Sequence, residues 1–371
     1  MLFTNARIFT PEGWLCGGFK LENGRFAEIG TEASGGVDLC GARVIPGLVD
    51  IHTHGAHGAD FSDGDGLRTM ARYLAKNGVT SFCPTSMTLG LEALERAFSG
   101  AAQYAGNPEP DCARVVGIHM EGPFLSEKKK GAQNAKYLRD PDFSELLRLY
   151  NASKGLIRIV DVAPELKDAA EFAEKASALC TVSVAHTDAD YDTAARVFDA
   201  GARHLTHLFN AMPQIHHRAP GVIGAASERG NVTAELICDG EHVHPSAVRM
   251  AFRLFPGRIC LISDSLRTAG MPDGEYTLGG QSIYLKNGAA RLADGSLAGS
   301  SVSLFDCLRN AVRFGIPEKD AIIAASLSPA RAIGAEGEIG SIEAGKRADF
   351  AVCDDELHPQ AVYIGGNRVQ N

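Results

Sequence analysis

The chain has 371 residues, 45% of them hydrophobic and 22% charged, and its 36 basic and 45 acidic side chains give a formal net charge of −9. This length is ample for a large core and too great for a single small domain. The acidic balance argues against nucleic acid as a partner, and the longest basic run, Lys128 to Lys130, is expected to be a solvated loop.

The first 46 residues contain short alternating strands, with a hairpin signal at Asn23-Gly24. The tail, from about residue 335, is β-like again and ends in AVYIGGNRVQN. Both segments are too short to bury much surface alone. We therefore expect residues 1–46 and 335–371 to pair into one small β-sandwich domain beside a catalytic domain of residues 47–334.

Between these ends, apolar strands alternate with amphipathic helical stretches. The strand candidates are residues 48–52, 79–83, 115–119, 157–162, 182–186, 204–207, 232–238 and 259–263. Eight β-then-α units with continuous apolar strands favour an α/β fold, a parallel (β/α)8 barrel of the TIM type. An open doubly wound sheet is the alternative.

The segment after the eighth strand is longer than its counterparts. Residues 265–300 contain Asn287-Gly288 and Asp294-Gly295, which predict a hairpin excursion over the mouth of the barrel. Helices are predicted over residues 302–314 and near residues 320–333.

Cysteine spacing and hydropathy indicate the compartment. The nine cysteines are never closer than 22 positions (Cys238 to Cys260), which gives neither a CxxC metal spacing nor a compact disulfide framework. No apolar run reaches the ~18 residues of a membrane span, and the start MLFTNARIFTPEG lacks a signal-peptide stretch. We expect a cytoplasmic protein with reduced thiols and no membrane partner.

The first barrel strand ends in two histidines, His52 and His54, within GLVDIHTHGAHG. Positions two apart share one face of a strand, so both imidazoles are presented together. Barrel active sites lie at the carboxyl ends of the strands. Further strand ends carry, in order, Glu121, His186, His207, Asp239 with His242, and Asp264.

Each of these residues alone has a structural interpretation, as a turn or core histidine, a loop carboxylate or a helix cap. Together, an inward cluster of this kind would be costly to bury without metal or pairing. Imidazole and carboxylate ligands without thiolate favour zinc or a similar divalent ion such as iron. Asp264 best fits the carboxylate that takes a proton from water and returns it to a leaving nitrogen. We interpret the remaining core and loop histidines as structural: His57, His119, His204, His244 and His358.

Several motifs carry a resemblance that covers nearly the whole chain: PGLVDIHTHG, GIHMEGPF, VAHTDA, HLFNAM, CDGEH, ISDS, SLSPARAIG and GSIEAGKRADF. The chain resembles the amidohydrolase superfamily and, within it, the family of N-acetylglucosamine-6-phosphate deacetylases. HxH alone marks only the superfamily, whereas EGPF together with HLFNAM and the following RAPG is far more specific.

The resemblance implies that Glu121, His186 and His207 hold a tightly bound metal. His52 and His54 would hold a second ion, with help from Glu121 and Asp264. Some family members lose the HxH pair and work with one metal, so the resemblance leaves the number at one or two. It also implies that Asp264 is the catalytic base and acid, and that His242 hydrogen-bonds the substrate.

For the substrate, the resemblance implies that the backbone at Asn210 and Ala211 and the guanidinium of Arg218 hold a 6-phosphate. Arg218 would reach in from the other subunit of a homodimer, and bidentate contacts to phosphate suit an arginine. The loop at Ala132 and Gln133 would contact the sugar. Family members often carry a histidine where this chain has Gln133, so the preferred hexosamine epimer stays open.

The activity implied is metal-dependent hydrolysis of N-acetyl-D-glucosamine 6-phosphate to D-glucosamine 6-phosphate and acetate. The alternatives are an enzyme for the galactosamine epimer, another N-acyl hydrolase, and an inactive homologue that acts as a scaffold. The intact set of ligands and Asp264 argue against the scaffold.

Overall fold

Eight parallel strand positions form a barrel in the computed structural model, which describes residues 1–32 and 35–370. The barrel strands are Leu48–Thr53, Val79–Pro84, Arg114–Val115 with Ile118–Met120, Ile157–Val162, Thr181–Val184, His204–Leu205, Thr233–Ile237 and Ile259–Ile262. Their side chains are buried almost throughout, as expected for strands covered by helices on one side and packed in the barrel interior on the other.

The strands close on themselves through two short bridges. Parallel bridges join Thr85 to His119 and Thr53 to Ser265, and the Asp264 backbone N–H donates to the His52 carbonyl over 2.9 Å. The second strand is therefore linked to the third, and the first strand to the eighth. The TIM-type barrel predicted from the alternating pattern is confirmed.

Helices follow the barrel strands and pack outside them. They are Leu67–Lys76, Leu91–Ala105, Phe143–Ala152, Ala169–Ala176, Tyr191–Asp199, Gly221–Ser227, Pro245–Leu254 and Leu304–Arg313. Side-chain caps fix several starts: Asp142 and Asp190 accept backbone N–H groups, and Ser303 forms a capping box with Asp306. Among the described residues, no helix is both long and apolar enough to cross a membrane.

Strands from both chain ends form one β-sheet beside the barrel. They are Leu2–Thr10, Gly13–Glu22, Arg25–Thr31, Val37–Asp38 and Arg43–Pro46 from the start, and Phe350–Cys353, Pro359–Ile364 and Asn367–Arg368 from the end. The two groups meet where Arg43–Pro46 pairs antiparallel with Phe350–Cys353. The expected joint β-sandwich is thus confirmed.

Aromatic rings fill the core of this sheet. Phe350 stacks on Tyr363 with centroids 4.5 Å apart, and Phe3 and Phe19 meet its ring edge-on at 5.4 and 5.1 Å.

The domain boundaries, residues 1–46 with 335–371 for the small domain and 47–334 for the barrel, remain a proposal. Three positions of the small domain, Ala33, Ser34 and Asn371, lie outside the described residues.

The predicted excursion after the eighth strand is an antiparallel sheet of Gly274–Leu278, Gln281–Lys286 and Ala289–Leu292. Its apolar face packs on Met87 and Leu266 at the carboxyl ends of the barrel strands. The Gln281 side-chain amide donates to the Ala132 carbonyl over 2.8 Å. This insertion therefore contributes to the wall of the space above the barrel.

Two predicted elements are interrupted. The third barrel strand is broken between Val115 and Ile118. At Gly117, within this break, an added Cβ would lie 2.2 Å from Cγ of Arg158. The helix predicted near 320–333 is two helices, Glu318–Ala325 and Leu327–Ala332, because Pro329 cannot donate to the turn before it.

Candidate active site

Six acidic and imidazole side chains from five strand ends meet at one end of the barrel. All six are buried, and the most accessible, Asp264, is 8% exposed. They are His52, His54, Glu121, His186, His207 and Asp264. The residues that the sequence placed at the carboxyl ends of strands are therefore brought together.

Glu121, His186 and His207 form the first group. Oε1 of Glu121 lies 3.1 Å from Nε2 of each histidine, and the two Nε2 atoms are 3.1 Å apart. Nδ1 of His186 lies 2.7 Å from the Lys129 carbonyl, which can only accept. The proton of a neutral His186 is therefore on Nδ1, and the lone pair of Nε2 faces the group.

His52, His54 and Asp264 form the second group. The Nε2 atoms of the two histidines are 3.3 Å apart, and Oδ1 of Asp264 lies 3.5 and 3.3 Å from them. Nδ1 of His54 donates to the Thr85 carbonyl over 3.2 Å. Oε2 of Glu121 lies 3.3 Å from Nε2 of His54, so Glu121 connects the two groups.

The backbone at three of these strand ends is left-handed. φ is +42° at His186, +30° at His207 and +47° at Asp264. Such conformations cost non-glycine residues about 1–3 kcal/mol each and persist where surrounding contacts determine them. The strand ends turn sharply here, and the side chains are held at the barrel mouth.

Opposite charges compensate one another within the site. Burial raises the pKa of the Glu121 carboxyl, but the facing imidazoles of His186 and His207 prevail and hold that pKa well below its ordinary value. Burial also opposes ionisation of Asp264, and His52 and His54 nevertheless lower its pKa. Against the effect of burial, Glu121 raises the pKa of His207 to about 9. Both carboxylates are thus ionised, and a cation bound here would compete with a proton on His207.

The donor set fits a divalent metal ion. Within each group the potential ligand atoms all lie within 4.8 Å of one another. Ligand atoms ~2.0–2.2 Å from a tetrahedral ion are separated by roughly 3.3–3.6 Å, close to the nitrogen–oxygen and nitrogen–nitrogen distances above. Nδ1 of His207 is buried without a hydrogen-bond partner, unlike the Nδ1 atoms of His52, His54 and His186. The clusters are consistent with a divalent metal site.

A cavity of about 340 Å³ opens above the two groups. Its lining includes five of the residues expected to contact substrate: Ala132, Gln133, Asn210, Ala211 and His242. Nδ1 of His242 lies 2.6 Å from Oδ2 of Asp239, which leaves Nε2 without the proton in the neutral ring. Leu266 and Leu278 form an apolar part of the wall.

Arg218 stands apart from the cavity in a single chain. It is exposed, it is not among the lining residues, and its Nη1 lies 2.7 Å from Nε2 of His217. Lys128 and Lys129, expected in a solvated loop, do line the cavity, although Lys128 remains mostly exposed. Their ammonium groups lie 3.5 and 3.7 Å from the Asp188 carboxylate.

Gln133 is engaged with the protein itself. Its Oε1 accepts from the Thr88 backbone N–H over 2.7 Å, and its Nε2 donates to Oε2 of Glu121. The first bond fixes the orientation of the amide, so the NH2 group must face the carboxylate. One N–H of Gln133 remains for a ligand in the cavity.

A buried polar network beneath the site was not predicted from the sequence. Glu235, in the middle of the strand Thr233–Ile237, contacts His52, His119 and His204, and Asp161 pairs with His119. A signal was present, because a carboxylate inside an apolar strand such as VTAELIC is costly unless it is paired. His119 and His204 were expected to be structural, and they belong to this network.

The comparisons with known proteins agree with the geometry. Residues 43–370 match the Amidohydrolase family. The chain is 36% identical over 365 residues to an N-acetylgalactosamine-6-phosphate deacetylase of Escherichia coli O157:H7, with 97% of each protein covered. It is 34% identical over 356 residues to an N-acetylglucosamine-6-phosphate deacetylase of Vibrio furnissii, with 94% of this chain and 89% of the relative covered.

A solved structure has the same fold as this chain. It is a mutant of N-acetyl-D-glucosamine-6-phosphate deacetylase from Mycobacterium smegmatis in complex with N-acetyl-D-glucosamine-6-phosphate. The TM-score is 0.93 at 35% sequence identity, with 100% of this chain and 99% of that chain covered. Both the barrel and the sheet formed by the chain ends are therefore shared with that structure.

Proposed function

Since the chain belongs to the amidohydrolase family and, within it, to the N-acetylglucosamine-6-phosphate deacetylases, we propose that it hydrolyses N-acetyl-D-glucosamine 6-phosphate. The products are D-glucosamine 6-phosphate and acetate. The observation that carries the proposal is the buried pair of ligand groups with Asp264 at the base of a cavity large enough for an amino sugar.

Glu121, His186 and His207 would hold one divalent ion, zinc with iron as the alternative, and His52 and His54 would hold a second with Asp264. When bound, such an ion polarises the amide carbonyl and lowers the pKa of water. The hydrogen-bonded Nδ1 atoms of His52, His54 and His186 support this assignment, because each leaves Nε2 free to act as a ligand.

Asp264 moves the proton in the reaction. Its ionised carboxylate accepts a proton from the water that attacks the amide carbon. It then gives that proton to the sugar nitrogen as the carbon–nitrogen bond breaks, and acetate and a free amine leave. His242, held by Asp239 through Nδ1, presents Nε2 to the substrate. A protonated Nε2 would donate to the amide oxygen or to a ring hydroxyl.

The phosphate is held by backbone N–H groups at Asn210 and Ala211 and by Arg218 of the other subunit in a homodimer. The exposed position of Arg218, away from its own cavity, supports an origin in the partner subunit. Ala132 and the remaining N–H of Gln133 contact the sugar. We also propose a cytoplasmic location, since all nine cysteines are free and reduced thiols are typical there.

The galactosamine epimer is a second candidate substrate, favoured by the Escherichia coli relative. The test measures acetate release from both phosphorylated epimers and from unphosphorylated N-acetylglucosamine, with Asp264→Asn as the inactive control. We expect the highest kcat/KM for the phosphorylated gluco epimer. A higher value for the galacto epimer would reassign the substrate, and no release from any of the three would refute the deacetylase assignment and leave another N-acyl hydrolase or the inactive scaffold.

A further inference from the structure

Glu235 occupies the barrel interior directly below the two ligand groups. It belongs to the strand Thr233–Ile237 and is fully buried. Its Oε2 lies 2.9 Å from Nδ1 of His52 and 3.2 Å from the backbone nitrogen of His207. The Oε2 atom of Glu235 thus contacts one residue of each ligand group, although Glu235 is not assigned as a ligand of either group.

The contact with His52 determines the tautomer of that ring. An ionised carboxylate can only accept, so Nδ1 of His52 carries the proton and Nε2 presents its lone pair to His54 and Asp264. The equivalent partners of His54 and His186 are neutral backbone carbonyls. Among these three proposed ligand histidines, His52 is therefore the one whose Nδ1 is paired with a full negative charge. Such a partner makes an imidazole a stronger ligand.

The contact with His207 acts on the backbone. The N–H that Glu235 accepts belongs to a residue with φ of +30°, a conformation that surrounding contacts must maintain. Loss of this bond would loosen the turn that carries His207. The side chain of His207 is still held by Glu121, so we expect this second effect to be smaller.

The charge of Glu235 is compensated from below. Both ring nitrogens of His119 face acceptors, since Nε2 lies 2.9 Å from Oδ1 of Asp161 and Nδ1 lies 3.1 Å from the Ile51 carbonyl. His119 must therefore carry two ring protons and a positive charge, and its Nδ1 is 3.6 Å from Oε1 of Glu235. Nε2 of His204 lies 3.2 Å from the same oxygen. The fold thus maintains an ionised carboxylate at this depth.

We propose that Glu235 is a positioning residue that orients His52 for metal binding. Its loss therefore lowers the metal affinity of the site formed by His52 and His54 far more than that of the site formed by Glu121, His186 and His207. This inference rests on the proposed function, because it takes the two groups to be metal sites. It adds a residue that touches neither substrate nor ion.

The test compares the wild type with Glu235→Gln in the full chain. Glutamine keeps the shape but offers one acceptor oxygen in place of two. Metal is removed by chelation, and zinc is then titrated back against a competing chelator, with the bound metal per chain measured by elemental analysis. We expect affinity at the weaker site to fall 10- to 100-fold, the usual effect of losing such a partner, with the tighter site changed by less than threefold.

Two control variants separate orientation from general damage. Asp349→Asn alters another buried carboxylate, which accepts from the Gly365 backbone N–H and contacts none of these histidines, and it should leave both zinc affinities unchanged. His52→Ala should weaken the same site as Glu235→Gln. The double variant should be no weaker than His52→Ala alone, because Glu235 acts through that ring. If Glu235→Gln fails to fold, Glu235→Asp retains the charge with a shorter reach and is measured in its place.

The outcomes distinguish the two claims. A folded Glu235 variant with both zinc affinities at wild-type values would overturn the positioning role and leave the proposed function intact. Equal weakening of both zinc sites by Glu235→Gln would also overturn it, and so would the same loss of zinc affinity in Asp349→Asn. A wild type that binds no divalent ion would refute the metal-dependent function itself.

Discussion

Arg218 provides a direct test of whether the active site is shared between subunits. Its side chain is exposed and contacts His217, so Arg218→Ala removes no buried contact. We expect the free energy of unfolding to change by less than about 0.5 kcal/mol. If the guanidinium binds the 6-phosphate, the substrate loses a charge-assisted contact of ~1.5–3 kcal/mol, which corresponds to roughly 10- to 150-fold in KM.

The assay compares the phosphorylated and unphosphorylated sugars by acetate release. KM should rise for the phosphorylated sugar and change little for the other, which has no anion. Arg253→Ala is the matched control, because Arg253 is also exposed and does not line the cavity. An equal rise for both sugars would show that Arg218 does not act on the phosphate.

Mixed dimers identify the subunit from which Arg218 acts. Subunits with Asp264→Asn are mixed with subunits with Arg218→Ala, and heterodimers are isolated by two different tags. In one of their two sites an intact Asp264 faces an intact Arg218 of the partner, so activity at low substrate should partly recover. Verified heterodimers without recovery would place Arg218 in its own subunit's site or outside the reaction.

Three further outcomes follow from the site and the core. His186→Ala and His207→Ala should each lose the more tightly bound metal, whereas His52→Ala should lose chiefly the second ion. If elemental analysis finds undiminished metal in both His186→Ala and His207→Ala, the ligand assignment is refuted. Asp264→Asn should lower kcat by ~10²-fold or more while metal is retained, and a rate near that of the wild type would mean that another residue transfers the proton. Phe350→Ala should destabilise the protein by about 3–5 kcal/mol in denaturant unfolding because the ring is fully buried among other aromatic side chains; a loss below about 1 kcal/mol would show that this sheet contributes little to global stability.

Much of the architecture could be read from local patterns. Continuous apolar strands and amphipathic helices are properties of single segments, so the barrel and the clustering of His52 with His186 and His207 were predictable. The interruptions at Gly117 and Ser326 were not. They depend on how Arg158 packs against a neighbouring strand and on a proline whose effect reaches back one turn.

The site was predicted less completely than the fold. Strand ends indicate which residues meet at the site, but they do not show which side chains in the barrel interior contact those residues. Glu235 contacts His52 across 183 positions of sequence, and the Gln133 amide that donates to Glu121 accepts from the Thr88 backbone N–H. These partnerships depend on the register between strands and on loop placement, which no single segment encodes.

The joining of both chain ends in one sheet has a consequence for synthesis. Phe3 and Phe19 pack against Phe350, which leaves the ribosome nearly the whole chain later. At ~5–20 residues per second, the first strands wait roughly 20–70 s for that partner. During this interval they expose an aromatic face and the unpaired edge of Arg43–Pro46, which the later strand covers in the finished protein. Newly made chains are therefore open to edge-to-edge association through these first strands until the last strands emerge.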